Sequence, residues 1–268
     1  MLERERKTAL KREIPASSQI PYCAHVAPGI VKTALGDYLQ AFHLGGISFE
    51  CADDNQLNTW HERLNVLWRN IASPRVALWT HVIRRPYRMT MSGANEGSPE
   101  FASSLAFKYE RRLAEETLMT NELFLAVIYR PSAGIAQGLA SRVLSRTRIA
   151  TVREERDGAL EACDKLAKTL LASLERYEPE LLGAYQDGGR WCSSLLEYLG
   201  ELVNGECQRM PLVPAPVNGT LATSRLMFGS EALEYRTPVR TRVGAMLGIK
   251  EYPAPSVVGM YNLSLIHI

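Results

Sequence analysis

The chain has 268 residues, 46% hydrophobic and 22% charged, which matches ordinary globular usage and suffices for a core without disulfide or metal staples. Its 31 basic and 29 acidic side chains leave a net charge of +2, which argues against a dedicated nucleic-acid binder. The cysteines at 23, 51, 163, 192 and 207 form an odd set with no Cys-x-x-Cys pair, which disfavours a secreted disulfide framework and points to a reducing compartment.

Residues 1–18 read as a charged extension; Met1 to Arg12 lack the apolar core of a signal peptide. No run of about 18 apolar residues occurs, so no membrane span is expected and membrane attachment would go through a partner. From Gln19 to Glu50 the pattern is that of strands. Ile30–Thr33 and Tyr38–Phe42 flank a Leu35-Gly36-Asp37 turn. An amphipathic helix follows, with Leu57, Trp60, Leu64, Leu67, Trp68 and Ile71 on one face. Asp53 and Asp54 stand at its start and Pro74 ends it. Val76–Ile83 reads as a strand, and Arg84, Arg85 and Arg88 as the opening of a loop that runs to Pro99.

A second helix is expected over Phe101–Met119. Leu123–Tyr129, apolar on both faces, reads as a central strand closed by Pro131. Val152–Tyr177 is the longest helix candidate, with Leu160, Cys163, Leu166, Ala167, Leu170, Leu174 and Tyr177 as its stripe. A shorter helix over Trp191–Val203 ends at an Asn204-Gly205 cap. Pro211, Pro214 and Pro216 mark a linker, and strands are expected at Ser224–Phe228, Ala232–Thr237 and Val239–Ile249. Strands and helices mix without strict alternation. That favours an α+β class, a mixed, mostly antiparallel sheet with amphipathic helices. The expected organisation is one domain over 19–259, with a subdomain break near 131–150.

The last six residues, Leu263-Ser264-Leu265-Ile266-His267-Ile268, are what CTGTCTCTTATACACATC encodes, the string of a transposon-end sequencing adapter. Residues 260–268 are therefore expected to be a non-native tail and are set aside from fold reasoning.

Little in the chain points to catalysis. A P-loop needs glycines to wrap phosphates and a Gly-Lys-Ser/Thr ending, and no Gly-Lys dipeptide occurs; Gly248-Ile249-Lys250 falls on an expected strand. Cys23, His25, His43, Cys51, His61 and His81 crowd the first third, but their scattered spacing favours ordinary packing over a tetrahedral zinc site. No Gly-x-Ser-x-Gly elbow is present. Cys163 lies in an apolar helix stripe, and Cys192 and Cys207 have no nearby histidine. Asp53-Asp54 is better explained by helix capping than by acid–base work. No catalytic, cofactor-binding or metal residue is therefore assigned. Two basic groups remain, Arg84, Arg85 and Arg88, and Arg236, Arg240 and Arg242. They carry the rival expectation of a stand-alone nucleic-acid-binding protein. A small metalloenzyme built on the Cys/His group is the third.

Several stretches together resemble one family. They are Ile20-Pro21-Tyr22, Gly36-Asp37-Tyr38-Leu39-Gln40, Leu44-Gly45-Gly46-Ile47-Ser48-Phe49-Glu50, Leu57 to Asn65, Ala77-Leu78-Trp79-Thr80-His81, Asn121-Glu122-Leu123-Phe124-Leu125 with Tyr129-Arg130-Pro131, Arg236-Thr237-Pro238, and Gly244 to Pro253. Their order resembles the amino-terminal part of the VirB/TrbE/CagE family of type IV secretion ATPases, and is most similar to its conjugative, TrbE-like branch. The resemblance implies a cytoplasmic protein docked on the inner membrane through other channel components, and an oligomer, a hexamer in full length. It also implies ATP and Mg in a carboxy-terminal RecA-like motor that this sequence does not contain. That motor powers pilus assembly and transfer of DNA or protein. No Walker residue is matched, so the resemblance carries no cofactor and no site residue onto this chain; direct contact with nucleic acid is left open.

Overall fold

The computed structural model describes residues 14–87, 100–115, 118–131, 149–230 and 232–248. Two compact units divide at Ala222 and Thr223. In the first, a six-stranded sheet has the order β1 (Tyr22–Ala27), β2 (Ile30–Thr33), β3 (Tyr38–Leu44), β5 (Leu118–Tyr129), β4 (Val76–Tyr87), with β6 (Pro179–Leu181) also on β3. Every pairing is antiparallel. With the helices, this gives the expected α+β class.

β5 is central because both its faces are apolar. Phe124 to Ile128 are all buried. On one face Leu39, Ala41, Phe124 and Ala126 meet Leu195, Leu196 and Leu199 of α4 (Ser194–Asn204) and Val217 and Leu221 of α5 (Val217–Leu221). On the other, Phe42, Leu125 and Val127 meet Leu67 and Ile71 of α1 (Asp54–Ile71). Ala167, Leu170 and Leu174 of the α3 segment (helix Ile149–Ser173) join them. The first unit is thus three layers deep, helix, sheet, helix. Each large apolar side chain removed from water contributes about 1.5–3 kcal/mol. Ile30, Tyr38, Ala159 and Cys163 make a smaller cluster.

The helix ends follow local chemistry. Asp53 Oδ1 accepts from Gln56 N at 2.8 Å and starts α1, the capping role expected of it. Ser193 Oγ accepts from Leu196 N at 3.3 Å and starts α4. Gly205 (φ 64°) ends α4 in the left-handed conformation, its N–H donating to Glu201 O at 2.7 Å. α3 ends at Ser173, and Glu175–Tyr177 continues as a 3-10 turn.

Four expectations on the element boundaries are corrected. Arg84 and Arg85 lie on β4, not in a loop: the strand runs to Tyr87, and they pair with Asn121 and Thr120. The second helix, α2 (Glu100–Glu115), stops short of Met119, because Leu118 and Met119 pair with Tyr87 and Pro86 instead. Trp191 belongs to a short strand, β8 (Arg190–Ser193), paired with β7 (Ala184–Asp187), so α4 begins only after its Ser193 cap. The proline-rich stretch from Pro211 to Pro216 is largely exposed between the buried Met210 and Val217, and Cys192 bridges Pro211. β11 (Thr241–Gly244) is shorter than the expected Val239–Ile249 strand.

The second unit is an antiparallel meander of β9 (Arg225–Phe228), β10 (Leu233–Arg236) and β11 in the order β11-β10-β9. Arg88, most of the 131–150 stretch, Ile249, Lys250 and the 260–268 tail lie outside the described residues, as do residues 1–13 of the charged extension.

Candidate functional site

The β4–β5 ladder carries a connected set of polar and aromatic side chains on the face toward α4. Alternation along β4 places Trp79, His81, Ile83 and Arg85 on that face. Arg85 reaches α4: its Nε donates to Glu201 Oε1 at 2.9 Å, and its Nη2 contacts Glu201 Oε2 and also Glu122 Oε2, the latter at 3.0 Å. Glu201 is buried. One guanidinium therefore holds two carboxylates, one of them withdrawn from water. The Tyr198 hydroxyl lies 2.7 Å from His81 Nδ1, and the Tyr198 ring stacks on Phe124 with centroids 4.7 Å apart. Burial pushes the His81 imidazole below its ordinary value and the Tyr198 phenol above its own. His25 Nε2 lies 3.1 Å from Ser193 Oγ, the cap of α4, and burial lowers that imidazole too. The arrangement fastens α4 to the sheet. Ser193 is fully buried, so its hydroxyl next to His25 has no access to a substrate.

Both histidines prefer the neutral form in the fold. Below their ordinary pKa of 6.5 the unfolded chain takes up protons that the folded chain refuses. Their contribution is thus complete above pH 6.5 and is lost as pH falls toward the lowered folded values. Urea unfolding between pH 7.5 and 5.5 is expected to show stability declining with acid, with a shallower decline in His81→Gln. An equal slope in the variant rules out His81 as a source.

The residues singled out in the sequence do not assemble into one centre. Cys23 Sγ contacts Pro21 O, His43 packs on Phe124, His61 sits beside Asn65 on α1, and Cys51 is exposed. Among the described residues no three His, Cys, Asp or Glu side chains come together as metal ligands would. Cys163 is buried, which pushes its thiol up to about 12 and leaves it a core residue. Of the two arginine groups, Arg85 is tied to Glu122 and Glu201. Arg236 is tied to Glu234, its Nε and Nη2 donating to Oε2 at 2.8 and 2.6 Å. The groups belong to different units.

What the sequence did not mark is the exposed apolar surface. On α2, Phe101 (79% exposed), Leu105 (57%), Phe107 (67%) and Tyr109 (55%) stand out toward solvent. Trp79, Val82, Tyr87 and Met119 do the same on the β4–β5 ladder, to which α2 is connected in sequence. An open cleft of about 430 Å³ lies between α1 and the end of α3, with Arg176 over the Trp60 ring at 5.0 Å and Arg63 beside it. None of the described helices is long and apolar enough to cross a membrane.

Two family models match. Residues 29–136 fit "Type IV secretion system ATPase VirB4/TrbE, N-terminal domain", and residues 180–265 fit "CagE, TrbE, VirB family, component of type IV transporter system". Among curated relatives, the type IV secretion system protein virB4 of Bartonella quintana is 34% identical over 94% of this chain and 32% of its own length. Its counterpart in Brucella suis is 32% identical over 94% of this chain and 31% of its own length. The type IV secretion system protein PtlC of Bordetella pertussis is 31% identical over 95% and 31%, respectively. The chain thus spans about a third of the length of these relatives. With both models drawn from one family and covering both compact units, the chain belongs to the VirB4/TrbE family of type IV secretion proteins.

Proposed function

We propose that this chain is the assembly and docking module of a type IV secretion ATPase. In this reading it lies on the cytoplasmic side of the inner membrane, held there by other channel components. It also contacts its own copies, six of them in the full-length protein. ATP and Mg belong to the remaining two-thirds of such a protein, which powers conjugative transfer of DNA or protein and pilus assembly. The observation that supports docking is α2, a single helix on which Phe101, Leu105, Phe107 and Tyr109 are all exposed, each more than half. Apolar side chains gathered in this way mark interaction surfaces.

The purified chain is expected neither to bind nor to hydrolyse ATP, since no residue in it matches a phosphate-wrapping loop. Turnover that scales with its concentration and survives further purification sinks the reading. Co-expressed with the inner-membrane components of its own secretion operon, the chain is expected to purify with them. The double variant Phe101→Ser, Phe107→Ser is expected to lower recovery by about tenfold, the effect of losing roughly 1.4 kcal/mol of contact. Unchanged recovery in that variant removes α2 from the interface.

A further inference from the structure

The two edges of the main sheet differ. β1 is irregular, with register shifts between Tyr22 and Ala24 and between His25 and Ala27. β4 is regular: its twelve residues pair one for one with β5 from Val76↔Tyr129 to Tyr87↔Leu118, without a bulge. Among the described residues nothing pairs with its outer side.

The hydrogen-bond phase of β4 fixes which groups face out. Arg130 N donates to Arg75 O at 2.7 Å, and Val76 N donates to Ser73 O rather than to β5. In an antiparallel pair such bonds recur every second residue. Arg75, Ala77, Trp79, His81, Ile83 and Arg85 therefore bond to β5. The next strands agree: the same phase turns Ala41 of β3 away from β5, and Ala41 O accepts from Leu182 N at 2.9 Å, beside β6. The backbone N–H and C=O groups of Leu78, Thr80, Val82 and Arg84 thus point away from the sheet. Pro86 falls in the same outward phase, where a missing N–H costs no ladder bond, as edge-strand prolines do.

An open, regular edge is a template for another strand unless something blunts it. Here Pro86 closes only the far end. The open part is flanked by Trp79 (47% exposed) on one face and Val82 (55%) on the other, so an added strand would be met by apolar surface on both sides. The charges on the edge have one sign. Arg75 and Arg84 are exposed, form no ion pair among the described residues, and share the segment 75–87 with no Asp or Glu. They stand nine steps apart, about 30 Å along an extended strand, and on opposite faces.

We propose that β4 takes up an extended segment of a partner protein as an added antiparallel strand. The segment alternates apolar residues and carries acidic residues near both ends, opposite Arg75 and Arg84. This rests on the docking reading above and gives that docking a mode and a partner chemistry. A second copy of the same strand fits less well. Two-fold pairing about Thr80 sets Arg75 opposite Arg85 of the other copy, twice, and like charges directly opposed are destabilising.

The test uses the whole chain and a synthetic peptide of about ten residues, alternating valine and threonine with glutamate at both ends. With the peptide in excess, amide exchange at Leu78, Thr80, Val82 and Arg84 is expected to slow. Exchange at Ala77, Trp79, His81 and Ile83, already bonded to β5, is expected to stay as it was. Thr80→Pro removes one outward N–H and leaves the β5 ladder intact, so the variant folds and its peptide affinity falls about tenfold or more. Arg84→Glu is the second variant and is expected to weaken the same peptide without touching the backbone. No protection at millimolar peptide, or protection that Thr80→Pro does not change, overturns the proposal. So does a peptide-free dimer that Thr80→Pro dissolves, which assigns the edge to self-pairing. If Thr80→Pro still co-purifies with the operon's membrane components at wild-type recovery, the edge proposal falls and docking stands. If the wild-type chain co-purifies with none of them, it is the docking reading that fails.

Discussion

Phe42→Ala is expected to destabilise the first unit by about 3–5 kcal/mol, the usual cost of emptying a large buried aromatic site. Phe42 is fully buried on the central part of the sheet. It lies opposite Leu125 on β5 and Leu181 on β6, and packs in the cluster that holds Leu67, Ile71 and Leu170. Residues of four other elements, β5, β6, α1 and α3, therefore gather around one ring. Alanine leaves a void bounded by a sheet and two helices, none of which can close on it without moving the others. Phe42→Leu keeps most of the volume and is expected to cost about 1–2 kcal/mol. Urea midpoints of the two variants decide the matter. A loss below about 1 kcal/mol for alanine means that α1 and α3 do not pack on the sheet as described.

Arg85→Met carries the second large effect, about 2–4 kcal/mol, because it leaves Glu201 buried without its cation. Glu122 loses the same partner, but it keeps more contact with water and adds less. The charge pair itself need not be stabilising; the cost lies in breaking it on one side. Hence Arg85→Met combined with Glu201→Leu is expected to recover most of the loss. A double-mutant cycle on urea unfolding reads this directly. If the two losses add, Arg85 and Glu201 act independently, and the fastening of α4 to the β4–β5 ladder rests on Tyr198 and the apolar contacts alone.

Sequence reading succeeds where the signal is local. The run Leu123–Tyr129 identifies a central strand because a segment apolar on both faces has nowhere else to go. Asp53 ahead of a three-and-four apolar stripe identifies α1, and Gly205 identifies the end of α4, since both are local backbone chemistry. Arg84, Arg85 and Pro86 defeat the same approach. Two charges and a proline read as a loop. Only the pairing with Asn121, Thr120 and Met119 shows that Arg85 has its acid partners across the sheet and that Pro86 occupies a position where no N–H is needed. Leu118 and Met119 likewise continue a helical pattern in sequence and are taken into β5 by Tyr87 and Pro86, which stand more than 30 residues earlier. The β7–β8 hairpin did leave a local sign: Asp187-Gly188-Gly189-Arg190, with both glycines at positive φ (54° and 78°), is a two-residue turn between short strands. The Arg85–Glu122–Glu201 group, in contrast, joins residues up to 116 positions apart, and no spacing rule reaches that far.

The two-sided burial of β3 and β5 sets an order of events at the ribosome. One face of the pair is covered first by α1 and later by Ala167, Leu170 and Leu174, but the other waits longest, for Leu195, Leu196 and Leu199, which are made about 70 residues after β5 is complete. At about 5–20 residues per second, that interval lasts roughly 4–14 seconds. Through it a nascent chain carries a finished apolar strand with one side bare. Bare apolar surface of this kind is prone to aggregate, so slow codons placed before α4 would lengthen the time the chain spends at risk of clumping with its neighbours on the same polysome.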